Sequence, residues 1–315
     1  GHPEVYAVEY KAPKNDPARN VAATEYFRVN PHRLNLGVIG LELQSAAGRK
    51  IGLKELSAIR QELKLYDGII QSSFVADGEP VDVITAALQD QDAVVWRVKS
   101  SLLKDGRARV PIRFPYPTGK HADDAADWTK PERHASRIVA AGDNAVLLEH
   151  VIDSTRYGLL LSWQGEASIH ECDRHYFELS TASNELAFKA SYFPVGEGGA
   201  GAEALGEEAL VIDQSLKAVI RAWNRWWQEG AIVDFGQCTD PRAKELERRV
   251  VLSQYLTQVN CANSLPPQET GLTYNSWFGR PHLEMTCWHV VDFALWNRPK
   301  VVATMLDWYN RVAYS

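Results

Sequence analysis

Residues 61–85, QELKLYDGIIQSSFVADGEPVDVIT, decide the fold class of the first half of the chain. Gln61 to Tyr66 alternates polar and apolar residues, Asp67-Gly68 interrupts it, and Ile69 to Val75 runs on to Asp77-Gly78. Val81-Asp82-Val83-Ile84-Thr85 then resumes the alternation. Period two places successive side chains on opposite faces of a strand, and Asp-Gly supplies two positions that tolerate positive φ, so the stretch predicts hairpins. Outward from it, Ala93–Val98 leads to a third such pair, Asp105-Gly106, followed by Arg107–Phe114. Further strand-like runs are Ala145–Ile152, Tyr157–Trp163, His175–Ser180 and Glu185–Phe193. About ten strands between Leu36 and Pro194 without intervening helices predict a large antiparallel sandwich. The polar stretch His121–His134, with Asp123, Asp124 and Asp127, reads as a long surface loop.

The 315 residues suit about two domains, and 45% hydrophobic with 23% charged residues excludes disorder or a fibrous repeat. A net charge of -6 and a pI near 5.9 give no electrostatic reason to expect nucleic acid or anionic lipid. No run approaches the ~18 apolar residues of a membrane span, so no membrane partner is expected. The start, Gly1-His2-Pro3, lacks Met, a basic region and an apolar core, and predicts a processed or engineered terminus. Cys172, Cys238, Cys261 and Cys287 are widely spread without C-x-x-C, which argues against a zinc ribbon and leaves one or two disulfides open.

Seven of the ten tryptophans follow residue 222, and the pattern there changes to helical. Leu216, Val219, Ile220, Trp223 and Trp227 form one stripe, with Asp213 or Ser215 as cap. Thr239-Asp240-Pro241 opens the next helix, with Asp240 as N-cap and a stripe of Leu252, Tyr255, Leu256 and Val259. A third runs from about Leu283 to Trp296, and Pro299 starts a fourth with Val302, Met305, Leu306, Tyr309 and Val312 on one face. Glu197–Glu208, rich in Gly, Ala and Glu, reads as an exposed linker. The expected division is therefore 1–196 sandwich, 197–238 linker with helix, and 239–315 helical hairpins. The aromatic-laden helices stop in mid-pattern at Ser315, so the gene is expected to continue.

The candidate chemistry lies in residues 266–298, PPQETGLTYNSWFGRPHLEMTCWHVVDFALWNR. Trp and Tyr offer apolar faces with a polar edge that suit the C–H face of a sugar; Arg, His and Asn anchor hydroxyls, and carboxylates supply acid or base. Trp296 and Trp308 lie on helical stripes and read as core, while Trp288, flanked by Glu284 and His289, is balanced between core and ligand. His282, Glu284, Cys287 and His289 fit no metal-ligand spacing, and His282-x-Glu284 lacks the P-C-x-x-C of a zinc deaminase, so neither metal nor cofactor is expected.

Gly271-Leu-Thr-Tyr-Asn-Ser-Trp-Phe-Gly-Arg-Pro-His-Leu-Glu-Met-Thr-Cys-Trp-His289, followed by Phe293-Ala-Leu-Trp296, resembles the first barrel hairpin of six-hairpin glycosidase-like proteins. These are related to glycoside hydrolase family 65 and more distantly to the family 95 fucosidases. Residues 60–117 resemble their N-terminal super-sandwich. The resemblance implies an antiparallel β-super-sandwich followed by helical hairpins of an incomplete (α/α)6 barrel. It implies a glycoside hydrolase acting on a poly- or oligosaccharide by inversion, secreted or periplasmic, with a carbohydrate as partner. Asn275, Trp277, Arg280, His282, Glu284, Trp288 and His289 are its candidate substrate contacts. Cys287-Trp288-His289 stands where family 65 has an aromatic-Trp-Asp cluster, which puts phosphorolysis in doubt. The family's general acid and base lie in later hairpins, so this chain alone is expected to be inactive, either truncated or completed by a second polypeptide. Of Glu269, Glu284 and Asp292, Glu284 is the weak catalytic candidate, read rather as a hydroxyl-binding carboxylate. A polysaccharide lyase using Tyr274, Asn275, Arg280 and His282, and a non-catalytic glycan-binding protein, are the competing readings.

Overall fold

The computed structural model describes residues 18–30, 32–196, 198, 199, 201, 205, 210–272 and 274–313. They divide into two compact units. One comprises 36–116 and 128–232, the other the described parts of 1–35 with 117–127 and 233–313.

The first unit is a two-sheet antiparallel sandwich. Its large sheet runs in the order β3 (Ser57–Lys64), β4 (Ile69–Ala76), β5 (Glu79–Ala87), β6 (Ala93–Lys99), β13 (Glu185–Pro194), β10 (Thr155–Gln164), β9 (Ala145–Ile152) and β8 (His134–Ala141). The smaller sheet is β1 (Val38–Ile39), β7 (Ala108–Arg113), β12 (Tyr176–Ser180) and β11 (Ser168–Asp173), with β2 (Glu42–Leu43) also pairing β7. Phe114, Leu148, Leu159, Leu161, Phe177, Leu179 and Phe188 are all but inaccessible and form its core. At about 25 cal/mol per Å2 of apolar surface, this burial is the main term holding the sheets together.

The three Asp-Gly pairs have three different fates. Asp77-Gly78 is the expected two-residue hairpin, with both φ positive (50° and 81°) and Ala76 paired to Glu79. Asp67-Gly68 ends a four-residue loop in which, of the pair, only Gly68 has positive φ. Asp105-Gly106 makes no hairpin. It closes a short helix, α2 (Ser101–Lys104), with Gly106 and Arg107 donating to Leu103 and Leu102 carbonyls at 3.0 and 2.8 Å, a Schellman end. Strand β8 begins at His134, the last residue of the stretch expected as a loop, and pairs with β9 with one register shift between Ile138 and Ala140.

Helix α3 (Ile212–Glu229) packs on this unit through Leu216, Val219, Trp223 and Trp227, as its stripe required. A Cβ on Gly68 would stand 1.9 Å from the Trp223 ring, and the Trp227 indole donates to the Leu65 carbonyl at 3.0 Å. Neither expected cap serves the helix. Asp213 lies inside the first turn, paired with Arg97, and Ser215 bonds back to Val211. Most of the expected linker 197–208 lies outside the described residues.

The helical unit contains α1 (Ala18–Val29), α4 (Ala243–Cys261), α5 (Thr286–Leu295) and α6 (Pro299–Val312). Asp240 accepts from the Arg242 N–H at 2.9 Å in a turn ahead of α4, so the helix begins later than expected. The buried face of α4 is rotated to Val251, Gln254, Tyr255 and Cys261, and Leu256 is exposed. Asn297 (φ 59°) makes the α5–α6 corner, its N–H and that of Arg298 returning to Ala294 and Phe293, and Pro299 takes the first helical position. Phe293, Val290, Met305 and Cys261 form the small core here. Trp296 and Trp308, expected in it, are only half-buried, and Leu306 and Val312 are exposed. All four cysteines are free.

Candidate functional site

The segment preceding α5 has little regular structure, so side chains must hold its backbone. Gln268, buried, donates its amide to the carbonyls of Gly271 and Tyr274. Asn260 of α4 accepts from the Leu272 N–H at 2.9 Å. Gly271 has φ 79°, and a Cβ there would lie 2.4 Å from Asn260 Oδ1, so only glycine fits. Asn275, 7% exposed, donates its backbone N–H to Asp123 O at 2.9 Å and its amide to Arg33 O at 3.0 Å. Phe278 N–H reaches His121 O at 3.0 Å. The first part of the stretch read as a surface loop, 121–127, is thus one wall of this site.

Trp277, Phe278 and Gly279 follow one another with φ of 48°, 60° and 71°. Left-handed backbone in bulky residues costs roughly 1–3 kcal/mol each and persists only where the surroundings enforce it. Phe278 is the buried anchor. A Cβ on Gly279 would meet Arg33 Cβ at 2.3 Å, so Arg33 and residue 279 pack backbone to side-chain stem. The result is that Trp277 stays 39% exposed, with His121 edge-on at 4.5 Å and His282 edge-on at 5.7 Å between ring centroids. His282 Nε2 is buried without a hydrogen-bond partner among the described residues.

The remaining candidates are placed differently. Arg280 donates to the carbonyls of Phe27 (2.8 Å) and Asn30 at the end of α1, where a cation also complements the helix dipole. His289 is buried on α5 with Nε2 against Glu269 O at 3.2 Å; a carbonyl only accepts, so Nε2 carries the proton. Glu284 and Trp288 face solvent, Trp288 at 77% exposure. Among the carboxyls, Asp292 is half-buried, and burial pushes it above the usual range despite the nearby Arg298. His32, Arg33 and His121 also belong to the site, and sequence reasoning missed them. Burial pushes the His32 imidazole down, against Lys120 and Asp123, and lowers Arg33 too. They lie about 150 or 240 residues from Trp277, too far for any spacing rule to connect them.

A half-exposed indole between two imidazole edges offers a flat C–H acceptor face with polar groups at its rim. The arrangement suits a ring that is apolar on its faces and hydroxylated at its edge.

No family model matches the chain, and no curated protein matches it either. Solved structures do. One described as "Putative kojibiose phosphorylase from human microbiome" aligns with a TM-score of 0.58 at 10% identity, covering 83% of this chain and 37% of that one. At this identity the likeness shows the fold alone: antiparallel sandwich followed by part of a helical barrel. The chain spans little more than a third of that structure's length.

Proposed function

We propose that this chain is part of a carbohydrate-processing enzyme that cleaves a glycosidic bond, and that residues 271–289 supply part of its sugar site. The observation that carries this reading is the enforced left-handed turn at Trp277-Phe278, which holds an indole beside His121 and His282. The sandwich-then-hairpin order shared with a structure named as a phosphorylase supports the same class. In this reading Trp277 stacks on a sugar ring, His282 bonds a hydroxyl through its imidazole, and Glu284 accepts from another. Trp288 adds a second apolar face.

Hydrolysis by inversion is the favoured reaction, with acid and base about 6.5–9.5 Å apart across the bond. Both would come from further helical hairpins, which would also cover the exposed Trp288, Val291 and Leu295 on α5. Phosphorolysis is the second reading, favoured by the named activity of the structural neighbour. Incubating the longer gene product with a panel of oligosaccharides, with and without inorganic phosphate, separates them. Reducing sugar released without phosphate supports hydrolysis, and sugar 1-phosphate formed only with phosphate supports phosphorolysis. No turnover of any glycan in either buffer would refute the enzyme reading.

A further inference from the structure

We propose that His134, His150 and His175, in the sandwich unit, bind one divalent first-row transition-metal ion such as Zn2+. The three residues come from separate strands or turns: His134 opens β8, His150 lies on β9, and His175 sits in the β11–β12 turn with φ 61°. Ser136 pairs with His150 and His134 with Ile152, so alternation puts His134 and His150 on one face of the large sheet. His175 reaches them from the smaller sheet. One ligand-capable atom of each lies within 4.8 Å of the others.

The local geometry fits coordination. His134 Nδ1 and His150 Nε2 are 3.2 Å apart, and two nitrogens on a tetrahedral zinc with bonds of about 2.0–2.1 Å stand about 3.3 Å apart. His175 Nε2 is 2.7 Å from the Pro131 carbonyl, which can only accept, so Nε2 carries the proton and Nδ1 presents its lone pair. A ligand imidazole anchored through its other nitrogen to a carbonyl is the usual support for a metal-bound histidine. Ser136 Oγ now donates to that lone pair at 2.6 Å and would yield it to the ion. The His134 and His175 rings stack at 3.7 Å, so the half-buried His134 must swing for the ion to enter the plane of both.

His150 is 1% exposed, and its Nδ1 has no hydrogen-bond partner among the described residues. A buried imidazole satisfied only by another imidazole is an unusual use of core space. Burial, with the neighbouring imidazoles, also keeps His150 and His134 uncharged at neutral pH, the form that binds metal. An entry path exists: an open cleft of about 380 Å3 is lined by Glu132, His134, Ser136, Glu171, Arg174 and His175. It would supply water as the remaining ligand. Three neutral imidazoles select zinc, cobalt, nickel or copper over calcium and magnesium.

The test uses the full chain freed of metal and titrated with Co2+, then with Zn2+. The expected result is one Co2+ per chain with visible d–d bands, displaced by Zn2+, and a higher melting temperature with Zn2+. His134→Gln, at a half-buried position that should fold normally by circular dichroism, should weaken binding by about 10–100-fold or more. Cys172→Ser controls for the exposed His170 and Cys172 on β11 and should leave binding unchanged. Binding retained in folded His134→Gln, binding lost in Cys172→Ser, or no stoichiometric binding at all would each overturn the site.

Discussion

Strand β9 and helix α5 carry similar sequences, VLLEHVI at 146–152 and WHVVDFALW at 288–296, and are buried very differently. On β9 Leu147, Leu148, Glu149 and His150 are all at most 1% exposed, so both faces of the strand are covered. Glu149 is tolerable there because Arg137 meets it at 2.8 Å. On α5 only His289, Val290 and Phe293 are buried, while Trp288 and Leu295 are each 77% exposed. Hydrophobicity makes a residue eligible for burial; the partner layers decide whether it happens. The sandwich has both of its layers, whereas among the described residues α5 packs with α4 and α6 and leaves Trp288 and Leu295 uncovered.

Acid should disturb this contrast most. Burial and neighbouring imidazoles push His150 down to about 3 and His134 to about 4, with Glu132 and Arg174 acting on His134 in opposite senses. The unfolded chain takes up these protons below about pH 6.5 and the folded chain does not, so the stabilisation is complete above 6.5 and is lost as pH falls toward 4. The slope is up to about 1.4 kcal/mol per pH unit for the buried His150, and less for the half-buried His134, where solvent screens the charge. Hydrogen exchange at pH 7 and pH 4.5 should show β9 losing far more protection than α5; equal losses would break the comparison.

Truncation of side chains sharpens it next. Phe177→Ala, at a fully buried site, should cost about 3–5 kcal/mol in urea unfolding, and Leu295→Ala under about 0.5 kcal/mol. Gly68→Ala should cost about 2 kcal/mol or more, because its φ of 67° disfavours a side chain and the new Cβ strikes Trp223. Trp277→Gly should also change stability little. Relief of its left-handed backbone offsets lost ring contacts, so the melting midpoint should move by about 1 kcal/mol or less.

Much of the sandwich was legible because period-two alternation is local. The Asp77-Gly78 turn, the α3 stripe and Pro299 at the start of α6 are likewise local signals. Asp105-Gly106 misled because the same two residues that turn a hairpin also end a helix. Strand β8 starts only at the last residue of the polar stretch His121–His134 and becomes a strand by pairing with β9, and α1 has no apolar periodicity to reveal it. The candidate site was legible as composition, through Trp277 and His282, but its walls were not. His121, Arg33 and Asp123 reach it through contacts between segments more than a hundred residues apart. The histidine trio likewise joins two sheets across the sandwich, and no motif spacing announces it.

The account rests most on Trp277 as a sugar-stacking residue. Isothermal titration of the chain with oligosaccharides that bind it, repeated on Trp277→Gly, tests this directly. The account predicts measurable binding that falls at least about tenfold, or about 1.4 kcal/mol, in a variant that still melts cooperatively. Binding of equal affinity in the two proteins would contradict it.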